Sequence, residues 1–219
     1  MILNQKKAVF LDRDGVLNHS EVVEGKPYAP RKLDDFIIEN EAYESTKLLS
    51  QAGFLLIVVT NQPDVGNGLV THEIVQAMNQ KLMEELPLDD IKVCFHSQSE
   101  KCSCRKPKPG MIKTAALEFN IDLEKSYMIG DRWSDISAGR AAGCFTILID
   151  RGYREKIEEQ SNISVSCMFR SCTEYSRKKQ IKHFKCQLIE MLAKLTCINI
   201  LFSLKKNKLL KIIAQFSTN

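Results

Sequence analysis

The sequence predicts an α/β fold, a three-layer sandwich with a central, mainly parallel sheet, and two observations carry that expectation. Short apolar runs alternate with helical patterns along the first 150 or so residues, and polar residues of chemical character stand at the carboxyl ends of several runs. A strand covered by helices on both faces reads as an unbroken apolar stretch, and strands that alternate with helices form parallel β-α-β units.

Taken in order, Ala8 to Leu11 is the first such run, and a helix is expected from Glu41 to Ala52, stopped by Gly53. Leu55 to Val59 is the second run. Ile74 to Leu86 follows as a helix with Ile74, Ala77, Met78 and Leu82 on one face. Lys92 to Phe95 is a third strand, Ile112 to Phe119 a helix and Tyr127 to Ile129 a fourth strand. Ser134 is expected to cap a helix that ends at Gly143, and Phe145 to Ile149 closes the series. Asp12, Thr60 and Asp131 each fall at the end of a run, where open, Rossmann-like sheets bind their ligands.

After about Asp150 the pattern changes. Ile157 to Lys179 shows neither periodicity nor turn chemistry and no convincing strand, whereas Leu188, Met191, Leu192, Leu195, Ile198 and Phe202 make a helical stripe among lysines. One domain over residues 1–155 is therefore expected, followed by an atypical basic tail over 156–219, helical or partly disordered. From Arg170 onward there are eleven Lys or Arg against two Glu, and twenty against twenty-five before it, so the body is near −5 and the tail near +9.

The 219 residues, 44% hydrophobic and 26% charged, are ordinary for a globular chain. No stretch reaches the roughly 18 to 20 apolar residues that span a bilayer, and Met1 to Lys7 lacks the apolar run of a secretory signal, so a cytoplasmic location with no membrane partner is expected. A monomer is the working expectation, although no residue pattern reads out the oligomeric state. The negative body argues against nucleic acid as a partner, because binding a phosphate backbone needs clustered positive charge.

Asp12 and Asp14 lie two residues apart where the first strand gives way to a loop, so both carboxylates can face one small volume, and Gly15 lets the backbone turn away. Neighbouring carboxylates repel, which calls for a divalent cation or a shared proton. A carboxylate held by Mg²⁺ through one oxygen can still attack phosphorus with the other. Cys94 with His96 and Cys102 with Cys104 form two further pairs, each with one residue between its members. Such pairs project to the same side of an extended chain, and a Cys₃His set saturates a tetrahedral Zn²⁺, which makes that ion structural. Lys106 follows the last of these ligands directly, so a pinned loop would fix it and Arg105 over the crevice.

These motifs resemble the haloacid dehalogenase superfamily, through Asp12-Arg13-Asp14-Gly15, Thr60-Asn61-Gln62, Lys106 and Gly130-Asp131-Arg132-Trp133-Ser134-Asp135, in that order. The zinc loop ending in Cys-x-Cys-Arg-Lys-Pro is similar to that of the branch without a cap domain, which contains the heptose bisphosphate and histidinol phosphate phosphatases. The resemblance covers residues 6–154. It implies that Asp12 is the nucleophile, that Asp14 is the acid and base, and that Thr60 and Lys106 bind phosphoryl oxygens. Mg²⁺ would be held by Asp12, the Asp14 carbonyl and Asp131. Asn61, Arg105 and Arg132 are expected to contact a small phosphorylated sugar or other metabolite, since a bisphosphate offers a second anion to arginine.

D-glycero-D-manno-heptose 1,7-bisphosphate is the substrate the resemblance favours, with histidinol phosphate as the alternative. A nucleic-acid 3′-end phosphatase is a weaker rival. A non-catalytic membrane-surface or partner-binding protein is another, built on Lys205, Lys206, Lys208 and Lys211 beside Leu209, Leu210, Ile212 and Ile213.

Overall fold

Strands and helices alternate as the apolar runs require in the computed structural model, which describes residues 5–155 and 160–165. In chain order the elements are β1 (Ala8–Leu11), β2 (Glu21–Val23), β3 (Lys26–Tyr28), α1 (Asn40–Gln51), β4 (Leu55–Asn61), the single turn α2 (Pro63–Gly66), α3 (His72–Glu85) and β5 (Asp90–Cys94). There follow α4 (Gly110–Phe119), β6 (Tyr127–Gly130), α5 (Trp133–Ala142), β7 (Phe145–Ile149) and β8 (Ile163–Val165).

The six-stranded sheet runs β5-β4-β1-β6-β7-β8, and every pairing is parallel. The chain moves outward from β1 through β4 to β5, then restarts on the other side of β1 at β6. That reversal splays the loops after β1 and β6 apart and opens a crevice above the middle of the sheet. β1 is apolar at every position and wholly buried because it has a neighbour on each side and helices above and below.

Side chains alternate across the sheet. Ala8, Phe10, Ile57, Val59 and Met128 pack with Met111, Ile112 and Ala115 of α4 and Ala138 of α5. Val9, Leu56 and Val58, equally buried, face the other layer, where α1 and α3 bury Leu49, Val75, Met78 and Leu82. Among the described residues no inserted domain covers the crevice; the connection from β1 to α1 holds only the antiparallel hairpin β2–β3 and one short turn. Nor is any described helix long and apolar enough to cross a membrane.

Three details differ from the sequence reading. The residue before α5 is Arg132 and not Ser134, because the Asp135 carboxylate reaches back to accept the Arg132 N–H at 3.0 Å and satisfies the helix start. The loop after Asn18 contains the hairpin, turned by Glu24 and Gly25, both at positive φ. A strand also forms at Ile163–Val165, where none was expected: three residues are too few to show a period, and β7 supplies a free edge for them to pair with. The expectations for residues 156–159 and 166–219, including the basic tail, the helical stripe and the amphipathic segment, lie outside the described residues.

Candidate active site

β1 ends at Leu11 and β6 at Gly130, so the next residues, Asp12 and Asp131, enter the crevice side by side. The Asp12 N–H donates to the Ile129 carbonyl at 2.9 Å, which ties the first loop to the fourth-motif strand. Lys106 is buried between two carboxylates, 2.7 Å from Asp12 Oδ1 and 2.6 Å from Asp135 Oδ1. Asp12, Asp131 and Asp135 each bring an oxygen within 4.8 Å of the others.

Three acidic groups thus face one ammonium in a buried volume, and their electrostatics reflect the deficit of positive charge. Burial first, and Asp135 second, push the Asp12 carboxyl up to about 7. Burial, with Asp12 and Asp135 behind it, raises Asp131 well above the carboxylate range. Burial opposes the charge on Lys106, yet Asp12 and Asp135 outweigh it and hold that amine above its ordinary value. Asp131 Oδ1 is buried and makes no hydrogen bond. An orphaned carboxylate oxygen among surplus negative charge suits a hard divalent cation, which takes oxygen ligands.

Asp14 sits beside this cluster in a different setting. Its Oδ1 accepts from Arg13 Nη2 at 3.0 Å and Nε at 3.2 Å and from Asn18 Nδ2 at 3.0 Å, while Oδ2 accepts from Gln62 Nε2 at 2.7 Å. Arg13 is fully buried, donates to Asn79 Oδ1 at 3.1 Å and lies over the Phe36 ring. Gln62 Nε2 also donates to Thr60 Oγ1 at 2.9 Å. Because that hydroxyl already accepts from the amide, its own proton is available to an incoming oxygen.

Asn61, expected to touch substrate, is occupied instead with the lysine loop: its Nδ2 donates to the Lys106 carbonyl at 3.1 Å, and the Lys106 N–H donates to its Oδ1 at 3.0 Å. This two-way amide contact fixes the backbone that carries the buried ammonium. The same loop is gathered by the sulfur cluster. Cys94 Sγ lies 3.6 Å from His96 Nδ1 and 3.6 Å from Cys102 Sγ, and Cys104 Sγ lies 3.4 Å from Cys94, 3.4 Å from Cys102 and 3.3 Å from His96. Tetrahedral ligands on arms of about 2.3 Å stand roughly 3.8 Å apart, so the four donors are spaced to hold one metal ion. Gly66 of α2 abuts this loop so closely that a Cβ there would lie 2.5 Å from the Ser97 nitrogen. Arg105 donates to the His96 carbonyl at 3.5 Å.

Sequence reasoning assigned no function to the residues after β7. Arg151 Nε donates to the Gly15 carbonyl at 3.0 Å, the Tyr153 hydroxyl to Asp131 Oδ2 at 2.7 Å and the Arg154 N–H to the Gly25 carbonyl at 2.8 Å. Burial and the Asp131 charge push the Tyr153 phenol far up, so it remains a donor. Glu155 pairs with the Arg132 guanidinium through both oxygens. Asp135 was visible in the fourth motif but not as a partner of Lys106. It stands in the first turn of α5, whereas Asp131 lies in the short link between β6 and the Arg132 cap.

The HAD-hydrolase-like family model matches residues 103–167. The D-glycero-beta-D-manno-heptose-1,7-bisphosphate 7-phosphatase of Helicobacter pylori is 40% identical over 143 residues, 63% of this chain and 79% of that protein. The protein of the same name from Haemophilus ducreyi is 37% identical over 160 residues, 67% of this chain and 84% of that one. A crystal structure of the D,D-heptose 1,7-bisphosphate phosphatase from B. bronchiseptica, complexed with magnesium and phosphate, superposes with a TM-score of 0.58 at 29% identity, over 65% of this chain and 80% of that one.

Proposed function

The chain belongs to the HAD-like hydrolases, and from that premise we propose that it is a magnesium-dependent phosphomonoesterase that removes the 7-phosphate of D-glycero-β-D-manno-heptose 1,7-bisphosphate. One observation carries the reading. At the switch point of the sheet, Asp12 meets Lys106 at 2.7 Å, beside the buried, hydrogen-bond-free Oδ1 of Asp131.

Asp12, Asp131 and the Asp14 carbonyl would hold Mg²⁺, which when bound supplies the positive charge that keeps both carboxylates ionised and binds a phosphoryl oxygen. The other steps belong to the protein. Asp12 attacks phosphorus with a carboxylate oxygen, the bond from phosphorus to the sugar oxygen breaks, and Asp14 gives that oxygen its proton. Water then attacks phosphorus, Asp14 takes the water's proton, and the bond to Asp12 breaks, releasing inorganic phosphate. Lys106 and the Thr60 hydroxyl face the equatorial oxygens, where the charge of a loose transition state spreads.

Cys94, His96, Cys102 and Cys104 would hold Zn²⁺ with no position left for water, so that ion fixes the Lys106 loop and takes no part in the reaction. Arg105, and Arg132 if it exchanges its pairing with Glu155, would bind the second phosphate. Asn61 acts through the Lys106 backbone.

Phosphate release by the full-length chain tests the proposal across the β- and α-heptose bisphosphates, fructose 1,6-bisphosphate, histidinol phosphate and a 3′-phosphorylated oligonucleotide, with Mg²⁺ and with chelator. The expected outcome is a kcat/KM at least tenfold higher for the β-heptose bisphosphate, no turnover without the ion, and none with Asp12→Asn. Preference for histidinol phosphate or the oligonucleotide, or a working Asp12→Asn variant, overturns it.

A further inference from the structure

We infer that Tyr153 is a positioning residue that sets the magnesium affinity of the site by fixing how Asp131 presents its carboxylate. The inference rests on the reading of Asp131 as a magnesium ligand. A carboxylate on a short side chain can turn about its last bond and offer either oxygen, or both, to an ion. Here the choice is already made, because Oδ2 accepts the Tyr153 hydroxyl at 2.7 Å and Oδ1 is left buried without a hydrogen bond.

The phenol is itself anchored. Arg151, two residues before it, donates to the Gly15 carbonyl, and Arg154, the residue after it, donates to the hairpin tip at Gly25. The contact is also tight. A Cβ on Gly15 would overlap Asp131 Oδ2 and lie 3.0 Å from the Tyr153 oxygen. A loop that follows β7, contributed from outside the four motifs, therefore closes over the ligand carboxylate and holds one of its two oxygens. Outer contacts that orient metal ligands are worth roughly tenfold to a hundredfold in metal affinity.

The test is calorimetric titration of Mg²⁺ into the full-length wild type, Tyr153→Phe and Asp131→Asn, with the thermal midpoint of each metal-free protein measured alongside. Tyr153→Phe keeps the ring and its packing, so a merely structural role predicts an unchanged magnesium affinity. The expected result is at least a tenfold weaker magnesium affinity, a midpoint within a few degrees of wild type, and a kcat that recovers to within about threefold at saturating Mg²⁺. Wild-type affinity in Tyr153→Phe overturns the inference. Undiminished affinity in Asp131→Asn would show that the magnesium reading itself has failed, and the inference with it.

Discussion

Gly15 shows how one residue type can be demanded from two directions. Its φ of +83° is one that side chains with a Cβ adopt at a cost of about 1 to 2 kcal/mol, and a Cβ there would overlap the Asp131 carboxylate. Gly15→Ala is therefore expected to fold with lowered stability and to lose magnesium affinity more than tenfold, read by thermal melts and titration of the ion. The acidic cluster has its own signature in pH. Asp12 is raised from its ordinary 3.8 to about 7, chiefly by burial, and Asp131 is raised in the same sense. A carboxyl that keeps its proton longer in the folded state makes the folded state bind more protons than the unfolded chain between those values, so stability falls as pH rises through them. In chelator, these groups should lower the melting midpoint from about pH 4 to about pH 7, and added Mg²⁺ should raise it more at about pH 8 than at about pH 5. A magnesium effect of equal size at both would contradict the assignment of the ion to these carboxylates. At this scale the charged members of the site were legible, because Asp12, Asp14, Lys106 and Asp131 sit in spaced motifs. Tyr153 was not, since its partner is 22 positions away in sequence and only the return of the chain over the crevice brings them together.

Among the elements, the loop between β5 and α4 carries the most chemistry for its length. It begins at Cys94, in register with Asn61 of β4, and ends by delivering Lys106 to Asp12. Four sulfur and nitrogen donors gather it and the Asn61 amide clamps its exit. Cys104→Ser should lower the bound zinc measured by mass spectrometry and reduce kcat by at least tenfold, while leaving far-ultraviolet dichroism within a few per cent of wild type. A variant that lost the metal yet kept full kcat would show that the loop needs no such pin. The donor set was legible from its spacing, and the strands from their apolar runs. The role of Asn61 was not, because a polar residue at a strand end reads equally well as a ligand to substrate or to a neighbouring backbone.

For the whole molecule, the sheet reaches one strand further than composition suggested, and the compact unit runs to Val165. Truncation after Val165 is expected to retain magnesium-dependent phosphatase activity. Truncation after Glu159 removes β8, leaves the β7 edge bare and should lower the melting midpoint by several degrees; equal stability of the two would mean that β8 contributes nothing. The order of the sheet was implicit in the alternation of strands and helices, but the last strand was hidden by its shortness. The parallel pairing of β1 with β6 has a wider consequence. Leu11 pairs with Ile129, so Asp12 stands level with Gly130 and Asp131 one residue beyond it, and the interval between the two is inherited from the ladder of main-chain hydrogen bonds, about 4.8 Å from strand to strand, with a one-residue step along it. Connections at the opposite rim can lengthen, shorten or diverge without altering that interval, and a lineage can rewrite much of its surface while the bite offered to the ion stays constant.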